Sequence, residues 1–535
     1  MTTSQKYCLK EVRNLRGFVK LHFYPEPKTQ VELRMIRASA ELRSAPEWVE
    51  QLNDDSKRKE WTKQVKRAFS LNSREVKYIF AELEHYATLM AKGCDGEEPG
   101  AIDMLWINRG DRDGELAKEF ARNAALLEAE CARNPMDVAE EDHKPAERQV
   151  LVDPFLYAFA AGESLVFKKP ITSPVAAVSA ELPRIKPGAY GKWGRAIDIH
   201  NSNNRPYMKT AFDKREIRGL TKTFGESVTD WDASCWLPTD FDVSEDGSVT
   251  IRSYINNLHP VRYADLYHTI SKVFAKFVPL LEQVATDAIH PRLSRDVFYK
   301  RMDFKAGTLH PHDILEMVQQ GQPLPDELQK FVTTSDSYCY GRKWNDTLVV
   351  NGVELDTSAL FDEWAKATPN AKASSALAFS PLYRPTKPYS MRGLPLQASV
   401  EVATINLTPD NPIRMEGEWR AVCRENEGIF AAGYYFYDVE NIANARLMFQ
   451  DHAAKKASSK PQHKPRFYAD SMAGYNKQCS DMKAIGGAEI KTGRFICYPT
   501  EYQMKMSSIQ LADPTKAGHI KYIAFYIVDP SSALS

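Results

Sequence analysis

The apolar residues of this chain follow two rhythms. Over residues 31–90 and 116–133 they recur every three to four positions, the spacing of amphipathic helices. VELRMIRASAELR opens the first helical region, and Pro46 breaks it. Within it, residues 56–69 place Trp61, Val65 and Phe69 on one face, and residues 73–91 follow with Ser73 as the expected N-cap. A further helix is expected over 265–286, carrying Pro279. From about residue 399 the pattern becomes blocks of strand length: SVEVATINLT, then the stretch 416–450, then RFICYP and HIKYIAFYIVDP. An earlier pair of β-prone runs flanks Glu245-Asp246-Gly247, a hairpin signal.

The stretch 416–450, EGEWRAVCRENEGIFAAGYYFYDVENIANARLMFQ, reads as strand, loop, long strand, turn and strand. Tyr434 to Tyr437 are four consecutive aromatics, which predicts a strand covered on both faces. Polar groups bracket it: Arg420, Arg424, Glu425, Asn426 and Glu427 before, Asp438, Glu440 and Asn441 after. Polar residues at the rim of a buried strand are where a sheet protein commonly places its site, although ordinary polar turns have the same pattern.

Composition narrows the class. Seventy basic residues balance seventy acidic ones, so no global field draws the chain to nucleic acid or membrane. Two local basic patches remain. One is the helix face bearing Lys57, Arg58, Lys59, Lys63, Lys66 and Arg67. The other is DHAAKKASSKPQHKPR (451–466), expected as a loop, with Lys455, Lys456, Lys460, Lys464 and Arg466. Each suits a polyanion such as RNA, and each is equally a solvated surface. The 8 cysteines are scattered without zinc-clip spacing, which points to reduced thiols. The N-terminal MTTSQKYCLKEVR lacks an export core, and no apolar run reaches membrane-spanning length. The expectation is a cytoplasmic protein. His310-Pro311-His312-Asp313 lacks a clear third ligand and reads as a structural loop.

Residues 1–92 form a helical region in this reading, 93–230 a mixed helical and irregular one, and 231–535 a strand-rich core with a helical insertion at about 261–390. Several blocks in that core carry a resemblance: WLPTDF (236–241), DGSVTIRSYINNLHP (246–260), INLTPDNP (405–412), GEWRAV (417–422), NEGI (426–429), YYFYDVENI (434–442) and LADPTKAGHIK (511–521). They resemble a large fungal family labelled a domain of unknown function, whose members look like Fe(II)/2-oxoglutarate dioxygenases. The resemblance implies an α+β fold with a double-stranded β-helix (jelly-roll) core. It also implies a facial triad of two histidines and a glutamate, with an arginine for 2-oxoglutarate.

This chain departs at each of those positions. Arg420 stands at the first histidine, Val422 at the glutamate, Met504 at the second histidine and Ile520 at the arginine. A valine cannot ligate iron, and an arginine brings fixed positive charge. The expectation is therefore a barrel that uses no metal and no cofactor. A metal-free branch of similar proteins resembles the arginine-containing cyclodipeptide synthases, which take two aminoacyl-tRNAs, one of them arginyl-tRNA, and close a diketopiperazine. On that resemblance the partners are aminoacyl-tRNAs, with no stable protein partner and no membrane. Alternatives are an oxygenase-like enzyme with altered ligands, His259, His519 or Asp438 among them, and a non-catalytic binding module.

The synthase reading needs a base, carboxylates for a guanidinium, and a group to polarise the ester carbonyl. Asp438, Glu440 and Glu427 are the candidate catalytic carboxylates, their individual roles left open. Asp438 and Glu440 lie two apart and share a side of an extended strand. Arg420, Asn406, Trp419 and Tyr435 are the candidate substrate contacts. The tRNA contacts would be Lys57, Arg58, Lys63, Lys66, Arg67, Lys455, Lys456 and Lys460. For any one carboxylate an ordinary loop salt bridge is the better explanation.

Overall fold

A computed structural model of the chain describes residues 28, 30–92, 96–108, 114–133, 148–154, 156, 159–160, 173–175, 234–289, 332–333, 347–350, 353–356, 379, 389–421, 427–454 and 480–530. Its helices are α1 (Gln30–Arg43), α2 (Trp48–Leu52), α3 (Asp55–Phe69), α4 (Ser73–Lys92), α5 (Glu115–Arg133) and α6 (Ala264–Ile289). The early strands are β1 (Glu97–Pro99), β2 (Trp106–Asn108), β3 (Arg148–Val152), β4 (Phe159–Ala160), β5 (Ser234–Cys235), β6 (Thr239–Val243), β7 (Val249–Ile251), β8 (Val332–Thr333), β9 (Thr347–Val350) and β10 (Val353–Asp356). The later ones are β11 (Pro395–Leu407), β12 (Ile413–Arg414), β13 (Ile429–Glu440), β14 (Ile442–Ala443), β15 (Arg446–Ala454), β16 (Ser480–Glu489), β17 (Arg494–Pro499), β18 (Gln503–Met506), β19 (Ile509–Leu511) and β20 (Gly518–Val528).

Helix periodicity holds in the first region. Trp61 and Val65 of α3 bury against Ile79 and Leu83 of α4. Asp54 caps α3, its side chain accepting from Ser56 N and Lys57 N. The cap of α4 is one residue earlier than expected: Asn72 Oδ1 accepts from Arg74 N and Glu75 N, while Glu75 Oε2 accepts from Asn72 N. This is a reciprocal capping box, which satisfies more orphan donors than Ser73 alone would.

Nine strands form one antiparallel sheet in the order β1-β2-β17-β13-β20-β11-β6-β7. β3 and β6 divide the far edge of the long β11 between them, at residues 402–405 and 395–398. The Glu245-Asp246-Gly247 hairpin joins β6 to β7, with Gly247 at φ +85°. Helices α5 and α6 cover one face of the large sheet through Phe120, Phe274 and Phe277. A three-stranded sheet, β16-β15-β18, and α1 cover the other through Phe449, Ile485 and Ile36. The architecture is α+β with antiparallel sheets. Two sheets face one another, but no sheet closes into a barrel among the described residues. The residues expected as a loop from Asp451 to Ala454 extend β15, because Asp451 pairs with Lys483 and its side chain is buried.

β13 has no solvent face over nine residues. Tyr435 and Tyr437 enter the helix-side core, whereas Tyr434 and Phe436 enter the core between the sheets. Gly433 sits where any side chain would strike α6: a Cβ there would lie 2.6 Å from Phe277 Cε1. Gly433→Ala should therefore lower unfolding free energy by about 1–3 kcal/mol through overpacking. Urea denaturation of the two chains measures it, and equal midpoints would show that Phe277 moves aside freely.

Candidate active site

β13 and β20 pair in regular register from Ala431 opposite Ile527 to Phe436 opposite Tyr522, and the register then shifts. The shift is a bulge that leaves Tyr437 as the extra residue, so Tyr437 and Asp438 both lie on the side covered by α5. Beyond it Asp438 opposes Lys521 and Glu440 opposes His519. Alternation along β20 puts His519 and Lys521 on that same side, and Asn406 of β11 flanks His519 from the other strand.

These residues form a half-buried polar group. His519 Nε2 is 2.8 Å from Asp438 Oδ2, and Lys521 Nζ is 3.7 Å from the same oxygen. Lys521 Nζ donates to Glu128 Oε2 of α5 at 2.8 Å, and Tyr437 OH donates to Glu128 Oε1 at 3.2 Å. Burial pushes the Asp438 carboxyl up, but contact with His519 and Lys521 outweighs it and holds the group below its ordinary value. Burial, reinforced by Glu128, raises the Tyr437 phenol well above its usual range, so it is a neutral donor. A cation, a carboxylate and an imidazole thus share a site that stays open to water.

The other residues singled out in the sequence do not join this group. Glu427 is buried at the opposite end of β13. Tyr435 is a core residue, stacked on Phe495 with centroids 4.2 Å apart. Trp419 lies under Lys505, whose Nζ is 4.6 Å from the ring centroid and 2.7 Å from Glu416 Oε2. Arg420 is exposed, and its backbone exchanges two 2.9 Å hydrogen bonds with Met504. Ile520 is fully buried between Ile405 and Val439. His259 caps the approach to α6, its Nδ1 accepting from Val261 N and Arg262 N. Val422, His310, His312, Lys455, Lys456 and Lys460 lie outside the described residues. On α3, Lys57 pairs with Glu60 and Arg58 with Glu84, while Lys66 donates to Ser73. Lys63 and Arg67 are exposed.

Two buried polar groups had no signal in the sequence. Between the sheets, Glu401 Oε1 accepts from Arg148 at 2.7 Å and Tyr522 at 2.8 Å, and its Oε2 accepts from Tyr526 at 3.0 Å. Tyr434 stands 3.2 Å from Tyr526, and burial pushes its phenol up to about 12. The second group joins Lys28 to Asp451, close to Glu501, whose carboxyl is pushed up to about 8 by burial and by Asp451 and Asp103 against the pull of Lys28. Strand alternation marks Glu401 as inward-facing only once the register of β11 is known. Among the described residues no three His, Cys, Asp or Glu side chains converge to hold a metal, and no helix is long and apolar enough to cross a membrane.

A family model described as a protein of unknown function, DUF4246, matches residues 73–535. No curated protein matches the chain. Among solved structures, a selenomethionine-labelled Fe(II)/α-ketoglutarate-dependent dioxygenase, TqaL, is similar at 12% identity and a TM-score of 0.15, over 32% of this chain and 53% of its own. The chain thus spans about half the length of that protein.

The depressed Asp438 carboxyl has a consequence for pH dependence. A carboxylate held below its unfolded value contributes stability above that value and loses it as pH falls through the folded one. Asp438→Asn should cost about 0.5–1 kcal/mol at pH 7, the scale of a partly exposed ion pair. The gap should close as pH drops below about 4. Urea unfolding at three pH values measures this, and a cost that persists in acid would assign Asp438 a packing role instead.

Proposed function

On the premise that the chain belongs to the DUF4246 family, we propose that it is a metal-independent acyltransferase, an aminoacyl-tRNA-dependent synthase of an arginine-containing cyclodipeptide. The observation that carries the reading is the open group of Asp438, His519, Lys521 and Glu128, with Glu440 exposed beside it. Joining two aminoacyl esters needs proton transfer at the attacking α-amine and an anionic partner for the arginine side chain. This group has both, and the ester itself supplies the driving force.

The iron reading fits the residues poorly. Arg420 and Met504 occupy two of the positions where the resembling dioxygenases carry histidines, and the backbone makes them cross-strand neighbours. A guanidinium and a thioether are not an Fe(II) donor set. His519 and Asp438, named above as altered ligands, are engaged with one another and with Lys521. No step is assigned to a metal. In this proposal the two facing sheets are an opened relative of the double-stranded β-helix, and the chemistry sits on the helix-covered side of the large sheet.

In the reaction, Asp438 and Glu440 face the substrate from one side of β13, and Asn406 lies across β20 from them. Glu440 is the more exposed and suits the guanidinium. The basic face of α3 would carry the tRNA.

Incubation with arginyl-tRNA and a mixture of other charged tRNAs should give a cyclo-arginyl dipeptide detectable by mass. Asp438→Asn should lower the rate by about 100-fold or more, as loss of positioned proton transfer does. A native chain that makes no diketopiperazine from any charged tRNA would overturn the proposal.

For tRNA affinity, the paired cations Lys57 and Arg58 should matter less than Lys63 and Arg67. Lys63→Ala with Arg67→Ala should weaken binding and lower the salt slope by about one for each phosphate that is no longer neutralised. An unchanged slope would leave α3 as a solvated face.

A further inference from the structure

We propose that His519 is the proton acceptor of this site, and that Glu128 is a positioning residue which keeps Asp438 available to it. The inference rests on the function above only for the reaction it serves. Its geometry stands independently of that function. It assigns roles to two residues on different elements, neither of which the sequence had marked for this chemistry.

Lys521 lies between two carboxylates. Its Nζ is 2.8 Å from Glu128 Oε2 and 3.7 Å from Asp438 Oδ2, so Glu128 holds the ammonium and Asp438 is only brushed by it. Asp438 Oδ2 is instead 2.8 Å from His519 Nε2. That nitrogen is buried and stands at ion-pair distance from the carboxylate. A fifth of the His519 side chain remains exposed. An imidazolium at this position would face Asp438 as its ion-pair partner.

Among the described residues, polar groups reach the surroundings of the imidazole from four elements. β13 presents Asp438 and Glu440, β20 presents Lys521, β11 presents Asn406, and α5 presents Glu128, which also receives Tyr437. Lys521 is the one cation in this set, and Glu128 is what holds it off. Without the Glu128 charge, Lys521 would close on Asp438 and compete with His519 for that carboxylate. Glu128 reaches the site from a helix that packs on the sheet through Phe120, 4.4 Å from the ring of Tyr437. The core contact and the polar contact therefore fix the same side chain.

The step balances. The neutral α-amine of one aminoacyl ester adds to the carbonyl of the other, and His519 takes the proton from that nitrogen as the C–N bond forms. The C–O bond to the tRNA ribose then breaks, and the departing oxygen takes the proton from His519. Imidazole ends as it began.

Diethyl pyrocarbonate, which modifies imidazole only in its neutral form, tests the arrangement without reference to turnover, with the His519 peptide followed by mass spectrometry. At pH 6 His519 should react several-fold faster in Asp438→Asn than in the native chain, and Glu128→Gln should match Asp438→Asn. At pH 8.5 all three should react alike, and Glu128→Asp should restore native behaviour. A Glu128→Gln chain that labels as the native chain does at both pH values overturns the positioning role. In the synthesis assay His519→Gln should lower kcat by about 100-fold with KM little changed, and retained turnover overturns the acceptor role. A native chain that makes no cyclodipeptide overturns the function, while the labelling comparison still decides the dyad.

Discussion

The structure depends on a strand that has nowhere to turn. β13 is buried on both sides, by α5 and α6 on one and by the small sheet and α1 on the other. Each face has its own aromatic set: Tyr435 and Tyr437 outward to the helices, Tyr434 and Phe436 inward. Burial of rings this large is the main favourable term available to such a layer, and it leaves polar groups only the ends of the strand. The Asp438 group sits at one end and buried Glu427 at the other. Proximity in sequence brackets the strand, but the strand's length separates the brackets.

Much of this was legible beforehand. Four aromatics in a row have one economical explanation, a strand covered on both sides, and that is what Tyr434 to Tyr437 form. The Gly247 hairpin and the Trp61 and Val65 stripe were equally direct. Partners distant in sequence were not legible. Glu128 lies 309 residues from Tyr437 and 393 from Lys521, and nothing local to a helix bearing several acids distinguishes it. Arg148 and Glu401 are 253 residues apart, and Glu401 looks like any polar residue of an alternating strand until its neighbours are known. The Asn72 cap was missed for a different reason: Ser73 is an equally good capping residue by type, and only the reciprocal bond from Glu75 decides between them.

The two sides of the large sheet use polar groups differently. Between the sheets, Glu401 accepts from a guanidinium and two phenols, an arrangement that specifies one packing of β3 against β11. On the helix side, Asp438 has a close imidazole, a more distant ammonium and some access to water. A saturated group resists change of protonation. One with a neighbour at ion-pair distance and solvent nearby can exchange a proton at little cost. This difference, more than burial or charge alone, separates the two polar clusters of this fold.

The division of one edge of β11 between β3 and β6 bears on how copies of the chain behave in company. A strand of 13 residues with a bare edge would present a row of unpaired amides and carbonyls to any neighbouring chain. Two segments from separate parts of the sequence cover that row instead. The strands left outermost among the described residues are β1 and β7, three residues each, and β3, five, and β1 ends in Pro99. Edges this short are poor templates for sheet-to-sheet growth.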